Sequence, residues 1–448
     1  MPASPYIREM LCEKHIAPSE KPRNIGAGIF ALGEAYKNAG LILGFNGTLL
    51  LGLICTYNMH LIVSIVVAYT QFLLKVSSSI YLRDTLKLEY LPNFPDTVEL
   101  SVLYGPKATR KLHKLVRVLV KIFIVSTQLG FCSIYVLFVA STAKAIILSH
   151  APRMPEDLRI YILIVAVPML CTALIPTLKF LTPVSLIANL LIFCGIFLSV
   201  YLCAVQGFPS IKDRPAIAHY STWSLFFGTA IFAFEGIALV IPLRNEMKNP
   251  NLFQVSYGVL NTGMAVVVLG TASMGFIAYL TFGDEIKSSV TLNFNRGILA
   301  ESVKICVATG LMFSYAIQFH VAVDVTWWDF LANRTSVNKA LCWELLYRTC
   351  LSLFTILVAA TVPFLGLILS LIGSMFSTAL ALFFPAICDI ALRTCPVEEG
   401  GRPSSKAIKG IRLLMDVITL LTACIGWVTG TGISLYNLYE AFRSKQYE

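Results

Sequence analysis

Long apolar stretches separated by short polar segments make up most of this chain. A stretch of about 20 apolar residues can cross a bilayer as an α-helix, and the pattern predicts about 11 such spans. In chain order they are Ile25–Asn38, Gly40–Tyr69, Val116–Ile147, Arg159–Leu178, Pro183–Val205, Ser221–Leu243, Ser256–Phe282, Leu299–Val323, Leu345–Val362, Pro363–Ala391 and Gly410–Tyr439. The ninth and tenth meet at Pro363, where two helices are preferred to one kinked span because about 45 apolar residues exceed one crossing.

The sixth predicted span is interrupted near its middle. Phe232-Ala233-Phe234-Glu235-Gly236 places a carboxyl group and a glycine where a lipid anchor would carry leucine. An ionisable side chain at mid-bilayer costs about 2.5 kcal/mol or more, so it normally faces a cavity, a partner or a permeating solute. Backbone leaves the helix at this depth only where it is buried in protein or lines water. The interruption indicates a functional site, and the alternative is a glutamate that only packs against a neighbouring helix.

Composition and charge support a polytopic membrane protein. Of the 448 residues, 56% are hydrophobic and 13% charged, whereas soluble domains carry about 25% charged residues. The net charge of +10 comes from Lys and Arg in one set of loops, which is a topology signal and not a nucleic-acid surface. It predicts a cytosolic segment at 1–23, a transmembrane domain over 24–448 with a cytosolic basic loop at 70–115, and a last helix at 410–439 that ends on the outer side.

Motifs for catalysis and metal binding are not found in the sequence. It contains no GxxxxGK[ST] phosphate loop, no HExxH site, and no Cys or His spacing typical of metal ligands. Most of the 12 cysteines lie inside apolar runs, where they behave as small hydrophobic residues and do not indicate disulfides. We therefore expect neither an enzyme nor a metal or organic cofactor.

A second interruption lies five spans before the first one, where Asn24-Ile25-Gly26-Ala27-Gly28 opens the first helix. Transporters built from inverted repeats bind their substrate near the bilayer midplane, between discontinuous helices in corresponding positions of the two halves. Broken helices offer amides to a carboxylate and carbonyls to an ammonium group, so a zwitterion matches both. The predicted substrate-binding residues are Asn24, Gly26, Ala27, Gly28, Phe232, Phe234, Glu235 and Gly236.

Proton coupling would require a group that changes its protonation near neutral pH and senses the bound solute. Glu235, Glu34 and His60 are the candidates. Glu34 lies three residues before Lys37, so an ion pair within the helix is the alternative for this carboxylate. For His60 a hydrogen-bonded packing role is the favoured alternative.

Three further ionisable residues lie within or near the predicted spans and are assigned structural roles. A hydrogen-bonded packing role is favoured for His320. Asp389 and Asp416 lie near helix ends on the predicted inner side, where we expect their carboxylates to reach water.

Several motifs resemble those of the proton-coupled amino-acid transporters of the amino acid/auxin permease superfamily, most of all their insect members. The motifs are Asn24-Ile25-Gly26-Ala27-Gly28, Thr127-Gln128-Leu129-Gly130-Phe131-Cys132, Phe232-Ala233-Phe234-Glu235-Gly236-Ile237, Tyr279-Leu280-Thr281-Phe282-Gly283 and Phe313-Ser314-Tyr315-Ala316-Ile317-Gln318-Phe319. The resemblance implies a LeuT-like inverted-repeat (5+5) fold of eleven helices. It also implies symport of protons with small neutral amino acids such as glycine, alanine or proline, at the plasma membrane or a lysosomal or late endosomal membrane.

Two departures from the family pattern affect the site. The family carries an apolar stretch before its Asn-Ile-Gly motif, whereas Glu13 to Arg23 is polar here, which predicts a shortened first helix. Vertebrate members have a second-helix histidine that matches Tyr57, and His60 lies one turn further on. The shortened helix and the charged loop at 70–115 motivate an alternative function, a non-transporting amino-acid sensor that signals through cytosolic loops.

Overall fold

The computed structural model describes residues 26–76, 92–107, 109–175, 178–247, 249–330, 340–393 and 406–444. Within these ranges all regular elements are helical. The α-helices are α1 (Gly28–Ala39), α2 (Leu41–Val76), α3 (Phe94–Tyr104), α4 (His113–His150), α5 (Leu158–Ala173), α6 (Leu178–Val205), α7 (Trp223–Phe234), α8 (Ile237–Glu246), α9 (Val259–Phe282), α10 (Ile298–Phe330), α11 (Ala340–Thr361), α12 (Leu365–Ile372), α13 (Phe384–Leu392) and α14 (Lys406–Arg443). The predicted segment 1–23 and Asn24 lie outside the described residues.

Eleven apolar helical units correspond one to one with the predicted spans. Nine segments in the described part of the chain are long and apolar enough to cross a membrane, α5 is a shorter apolar helix, and the 12-residue α1 is the remaining unit. The sixth span consists of α7 and α8, and the tenth runs from α12 to α13 through a π-helical stretch. Residues 362–364 are not helical, which confirms two helices around Pro363. The all-α polytopic fold is therefore confirmed.

Equivalent spans of the two halves pack against each other. In the described residues α1 packs on α7, α2 on α9, α4 on α10 and α5 on α11, so four of the five first-half spans meet the span five positions later, whereas α6 packs mainly on α10. Gly28 contacts Ala233, and Thr222 bonds to Asn38 at the other end, so α1 and α7 run antiparallel. This opposite direction is expected of two five-helix repeats of inverted topology. The last helix, α14, packs outside them against α7, α12 and α13.

Turns on the predicted outer side tie the connection between α6 and α7 to its neighbours. The backbone amide of Leu41 donates to Pro215 O at 2.9 Å, beside the turn at Gly40, whose φ of 91° suits glycine. Arg214 Nε donates to Leu280 O at 3.1 Å, at the end of α9. The Thr222 hydroxyl donates to Asn38 O at 2.7 Å. These bonds hold the ends of α1, α7 and α9 together.

The predicted basic loop at 70–115 contains a helix that sequence periodicity missed. Helix α3 has 11 residues and is capped by the preceding Asn93, whose side chain accepts a hydrogen bond from the Asp96 amide at 3.0 Å. It packs on α2, α4 and α13, and its first nine residues are buried. Part of this loop is therefore a packed element of the bundle.

Two acidic residues of α3 are fully buried and pair with Arg117 and His113 of α4. Arg117 Nη2 lies 3.0 Å from Asp96 Oδ1, and Arg117 Nε lies 3.4 Å from Glu99 Oε2. His113 Nδ1 lies 2.9 Å from Glu99 Oε1. Burying a carboxylate is costly unless it is paired, so these contacts offset the burial of α3. We call Asp96, Glu99, His113 and Arg117 the α3–α4 charge cluster.

A second group of paired charges joins α2, α13 and α14. Arg393, which directly follows α13, donates to Asp389 and, at 2.7 Å, to Asp416 Oδ2. The Tyr57 hydroxyl donates to Asp416 Oδ1 at 3.2 Å. The Asp416 side chain is fully buried, and that of Asp389 is only 11% exposed. The prediction that both carboxylates reach water is therefore wrong, because a nearby guanidinium pairs with them inside the protein. We call these four residues the Arg393 charge cluster.

Candidate functional site

The break in the sixth span separates two short helices at mid-length. Helix α7 ends at Phe234 and α8 begins at Ile237, with Glu235 at φ −67° and ψ 128° and Gly236 at φ 177° and ψ 3°. Both residues depart from helical geometry, so the last carbonyls of α7 and the first amides of α8 lack partners within a continuous helix. A Cβ built on Gly236 would meet no atom within 4 Å. The predicted interruption is therefore a real opening of the backbone beside free space.

The first helix begins at the same place in the bundle. Helix α1 starts at Gly28, after Ala27, whose methyl side chain cannot cap the amides of the first turn. A Cβ on Gly28 would lie 2.7 Å from Ala233 Cα and 3.1 Å from Phe232 Cδ1. Glycine is thus needed for the close approach of α1 to α7. The start of α1 and the break after α7 therefore lie side by side, which brings the candidate residues Gly28 and Phe232 into contact, with Gly26 and Ala27 directly before Gly28 and Glu235 three residues after Phe232.

The Glu235 carboxyl group has no cation beside it in the described part of the structure. Its Oε1 atom is inaccessible to solvent and has no hydrogen-bond partner among the described residues. Cys55 of α2 and Tyr135 of α4 lie within electrostatic range of the carboxylate. A buried polar oxygen without a partner costs about 1–3 kcal/mol, so this position favours a ligand or a proton that satisfies it. Phe234, next to it, is buried and packs in the core.

Aromatic residues of α4 complete the surroundings of the two breaks. The rings of Phe131 and Phe232 meet edge to face with centroids 4.5 Å apart. Tyr135 is fully buried, and its hydroxyl would lie 3.4 Å from a Cβ on Gly26. Sequence analysis assigned no role to Phe131 or Tyr135, because nothing local distinguishes them from other aromatic residues in apolar spans. The available signal was their spacing of four residues, which places them on one face of α4.

The other two proton-coupling candidates lie away from the breaks. Glu34 is six residues beyond Gly28, about 9 Å along α1, and its carboxylate contacts Gly366 in the first turn of α12. The partial positive charge of that helix end stabilises an anion. Lys37, the predicted partner of Glu34, donates to Asp284 O at 2.8 Å. The structure thus places Glu34 at a helix terminus and not beside Glu235.

His60 faces a different part of the bundle. Its Nε2 atom lies 2.6 Å from Asn261 Oδ1 of α9. Cys55 lies on the face of α2 that approaches Glu235. His60 follows it by five residues, so the His60 side chain points about 140° away from that face around the helix axis. A packing role for His320 is confirmed, since its Nδ1 lies 3.2 Å from Arg348 Nη2. Neither histidine adjoins the helix breaks.

Comparisons with known proteins agree with this arrangement. The family model described as "Transmembrane amino acid transporter protein" matches residues 23–402. The proton-coupled amino acid transporter-like protein pathetic of Drosophila melanogaster is 32% identical over 298 residues, covering 66% of this chain and 62% of that protein. Vacuolar amino acid transporter 3 of Saccharomyces cerevisiae is 28% identical over 353 residues, covering 76% of this chain and 47% of that protein. The match thus spans less than two thirds of each relative.

Among solved structures, one similar chain is that of Mhp1, a nucleobase-cation-symport-1 family transporter in a closed conformation. It covers 96% of this chain and 95% of its own length, with 14% identity and a TM-score of 0.45. The match to the family model is the decisive comparison, because it extends over most of the sequence and includes both helix breaks. The chain belongs to the transmembrane amino acid transporter protein family, whose members are membrane transporters and not enzymes.

Proposed function

We propose that this protein is a secondary active transporter that moves small neutral amino acids, such as glycine, alanine or proline, in symport with protons. The single observation that carries the proposal is the apposition of the start of α1, at Gly28, and the break after α7, where one buried carboxyl oxygen of Glu235 has no partner among the described residues. Alternating access would follow from rocking one group of helices against the other around this fixed site.

The two helix ends match the two charges of an amino acid. The amides at the start of α1, around Gly26 to Gly28, would bind the carboxylate, which the positive end of the helix dipole favours. The carbonyls at the end of α7 and the Glu235 side chain would accept hydrogen bonds from the ammonium group. A zwitterion would therefore bridge α1 and the break, with one charge at each.

The close packing around the breaks favours small substrates. Gly28 lies against Ala233 and Phe232, and Phe232 lies against the ring of Phe131. A large side chain on the substrate would have to displace these contacts, which costs free energy in a closely packed interior. Glycine, alanine and proline are among the amino acids with small side chains.

Glu235 is the proposed proton-coupling group, because its carboxyl group lies at the break itself. Protonation removes a buried, unpaired charge before or during substrate binding, so proton and amino acid would occupy the site together. Glu34 and His60, which lie away from the break, are weaker candidates. The name of the Drosophila relative includes proton coupling, which supports extending that property to this protein.

The direct test is uptake by the full-length protein in proteoliposomes. We expect saturable uptake of glycine, alanine or proline that is accelerated by an inward proton gradient and loses this acceleration when a protonophore is added. A correctly inserted chain without saturable uptake would contradict the proposal. Stabilisation by these amino acids without any flux would instead favour an amino-acid sensor.

The distribution of Lys and Arg supports a cytosolic location for segment 1–23 and for the basic loop at 70–115. We propose the plasma membrane or a lysosomal or late endosomal membrane as the location of the protein. Microscopy with compartment markers, together with an N-terminal tag detected only after permeabilisation, would support both statements.

A further inference from the structure

Three buried oxygen atoms without partners lie on different elements around the break. In the described part of the chain, Gln128 Oε1 on α4, Glu235 Oε1 at the break and Gln318 Oε1 on α10 all lack a hydrogen-bond partner. The residues Gln128 and Gln318 are 1% and 8% exposed, so water in the surrounding medium does not satisfy their oxygens. All three atoms are acceptors.

The three residues share one level of the bundle. Phe131 contacts Phe232, and Cys132 Sγ approaches Tyr315 O, so these positions of α4, α7 and α10 lie level with each other. Helix α4 runs antiparallel to α10, since His150 also meets Glu301 at the far end of both helices.

Helix α4 also runs antiparallel to α7. Helix α1 runs parallel to α4, because Gly26 lies by Tyr135 and Phe30 lies by Phe138. Since α1 is antiparallel to α7, α4 must be antiparallel to α7 as well. Gln128 precedes Phe131 by three residues, Glu235 follows Phe232 by three, and Gln318 follows Tyr315 by three. Each residue therefore lies about one turn from the shared level, in the same direction.

Tyr135 lies about one turn from the shared level in the opposite direction along α4. It lies seven residues from Gln128, which places both on the same face of α4. Its side chain lies near those of Gln318 and Glu235. Tyr135 also approaches Gly26 at the start of α1. One fully buried side chain thus adjoins α1, α10 and the break.

The chemistry of these atoms defines the ligand group. Unpartnered buried acceptors are unfavourable, and a group that supplies hydrogen-bond donors removes that cost. An ammonium group carries N–H donors only, and bonds from a cation to a carboxylate or an amide oxygen are stronger than those between neutral groups. Each methyl group added to the nitrogen removes one donor.

We infer that Gln128 and Gln318 are specificity-determining residues that, together with Glu235, form an acceptor subsite for the ammonium group of the substrate. This inference rests on the proposed transport function and adds to it a preference for substrates whose nitrogen carries more N–H donors, so that each N-methyl group weakens binding. The glutamine side chains select the nitrogen substituents, while the amides at Gly26 to Gly28 bind the carboxylate.

The experiment measures the KM of glycine and the inhibition constants of N-methyl-, N,N-dimethyl- and N,N,N-trimethylglycine in proteoliposomes. Gln128→Met and Gln318→Met keep the side-chain length and remove the acceptor. We expect each variant to raise the KM of glycine by about tenfold and to change the inhibition constant of trimethylglycine less than twofold. Discrimination between the methylated and unmethylated amines would therefore shrink.

Two control variants distinguish the loss of the acceptor from a general loss of folding or activity. Gln128→Asn retains an uncharged amide oxygen as acceptor on a side chain one methylene shorter, so the KM of glycine should rise less than in Gln128→Met. Gln254→Met removes an amide that donates to His60 O at 2.9 Å, away from the breaks, and should leave both constants unchanged.

Failure of the inference is distinguishable from failure of the proposed function. A wild-type protein without saturable uptake contradicts transport itself. If the wild type transports glycine but both Met variants retain its KM within twofold, the subsite is contradicted. An equal shift for glycine and trimethylglycine would also contradict it, because the glutamines would then act only on the shape of the site.

Discussion

The helix break and the Arg393 charge cluster both contain buried carboxylate oxygens, yet they differ in pairing. Asp389 and Asp416 share one guanidinium, and Asp416 also accepts a hydrogen bond from Tyr57. Glu235 has an oxygen without any partner in the described part of the structure. Paired buried charges recover much of their desolvation cost within the protein, whereas an unpaired group leaves that cost for a ligand to offset.

This difference separates residues that hold the bundle together from residues that act on the solute. The Arg393 charge cluster links α2, α13 and α14, and the α3–α4 charge cluster holds α3 on the bundle. Substitutions in the clusters should therefore change stability first. Substitutions at the break should change transport with little change in stability.

The largest expected effect comes from removing the shared cation. Arg393→Ala leaves two carboxylates in a buried position without their guanidinium, and we expect a loss of about 3 kcal/mol in the free energy of unfolding. Chemical denaturation in detergent micelles measures it. Arg412→Ala, at an exposed position of α14, is the matched control and should change stability little. If the two variants have equal free energies of unfolding, the claim that the paired charges of the Arg393 charge cluster stabilise the fold is contradicted.

Gly28→Ala tests whether the two breaks must touch. The added Cβ would lie 2.7 Å from Ala233 Cα, so α1 and α7 would have to separate, at a cost of about 1–3 kcal/mol. We expect lower uptake as well as lower stability. Gly270→Ala in α9, where a Cβ meets no atom within 4 Å, is the control and should be neutral or slightly stabilising. Normal uptake by Gly28→Ala would contradict the close-approach requirement.

Glu235→Gln tests the unpaired group itself. Glutamine resembles the protonated carboxyl group, so uptake should no longer rise as the external pH falls, and the stimulation by a proton gradient should decrease by about tenfold. Stability should remain close to that of the wild type, because no buried cation loses its partner. Glu301→Gln, at the start of α10, is the control and should keep the pH profile. An unchanged profile in Glu235→Gln would exclude Glu235 from proton coupling.

The smallest effect is expected for Tyr57→Phe. It removes one hydrogen bond to Asp416 while Arg393 remains, so the free energy of unfolding should fall by about 1 kcal/mol with transport retained. Tyr436→Phe is the control, because its hydroxyl bonds to Glu440 on the exposed surface. If Tyr57→Phe changes the stimulation of uptake by a proton gradient and Tyr436→Phe does not, the Arg393 charge cluster also takes part in transport.

Local features of the chain were enough to predict the spans and the break. The length of each apolar stretch is set by bilayer thickness, and Glu235-Gly236 disrupts one of them without reference to any other helix. The pairing of this break with the start of α1 followed from the repeat of the pattern five spans apart. These predictions depend on neighbouring residues or on a regular spacing.

Other assignments failed because their partners are distant in the sequence. Tyr57 and Asp416 are separated by 359 positions, so nothing near Asp416 indicates that its carboxylate is paired and buried. Helix α3 lies within a charged loop, and its burial depends on Arg117 of the next helix. Tyr135 resembled any aromatic residue of a membrane span until its contact with Gly26 was known.

The sequence by itself determined the class of the protein, the number of spans, the broken sixth helix and the family to which the chain belongs. Each of these is expressed in a continuous stretch of residues, because membrane insertion and helix formation act locally. The tertiary structure decided which polar groups are satisfied. It paired Asp389 and Asp416 with Arg393 and left Glu235 Oε1 without a partner among the described residues at the break, since hydrogen bonds and ion pairs between helices depend on distance in space.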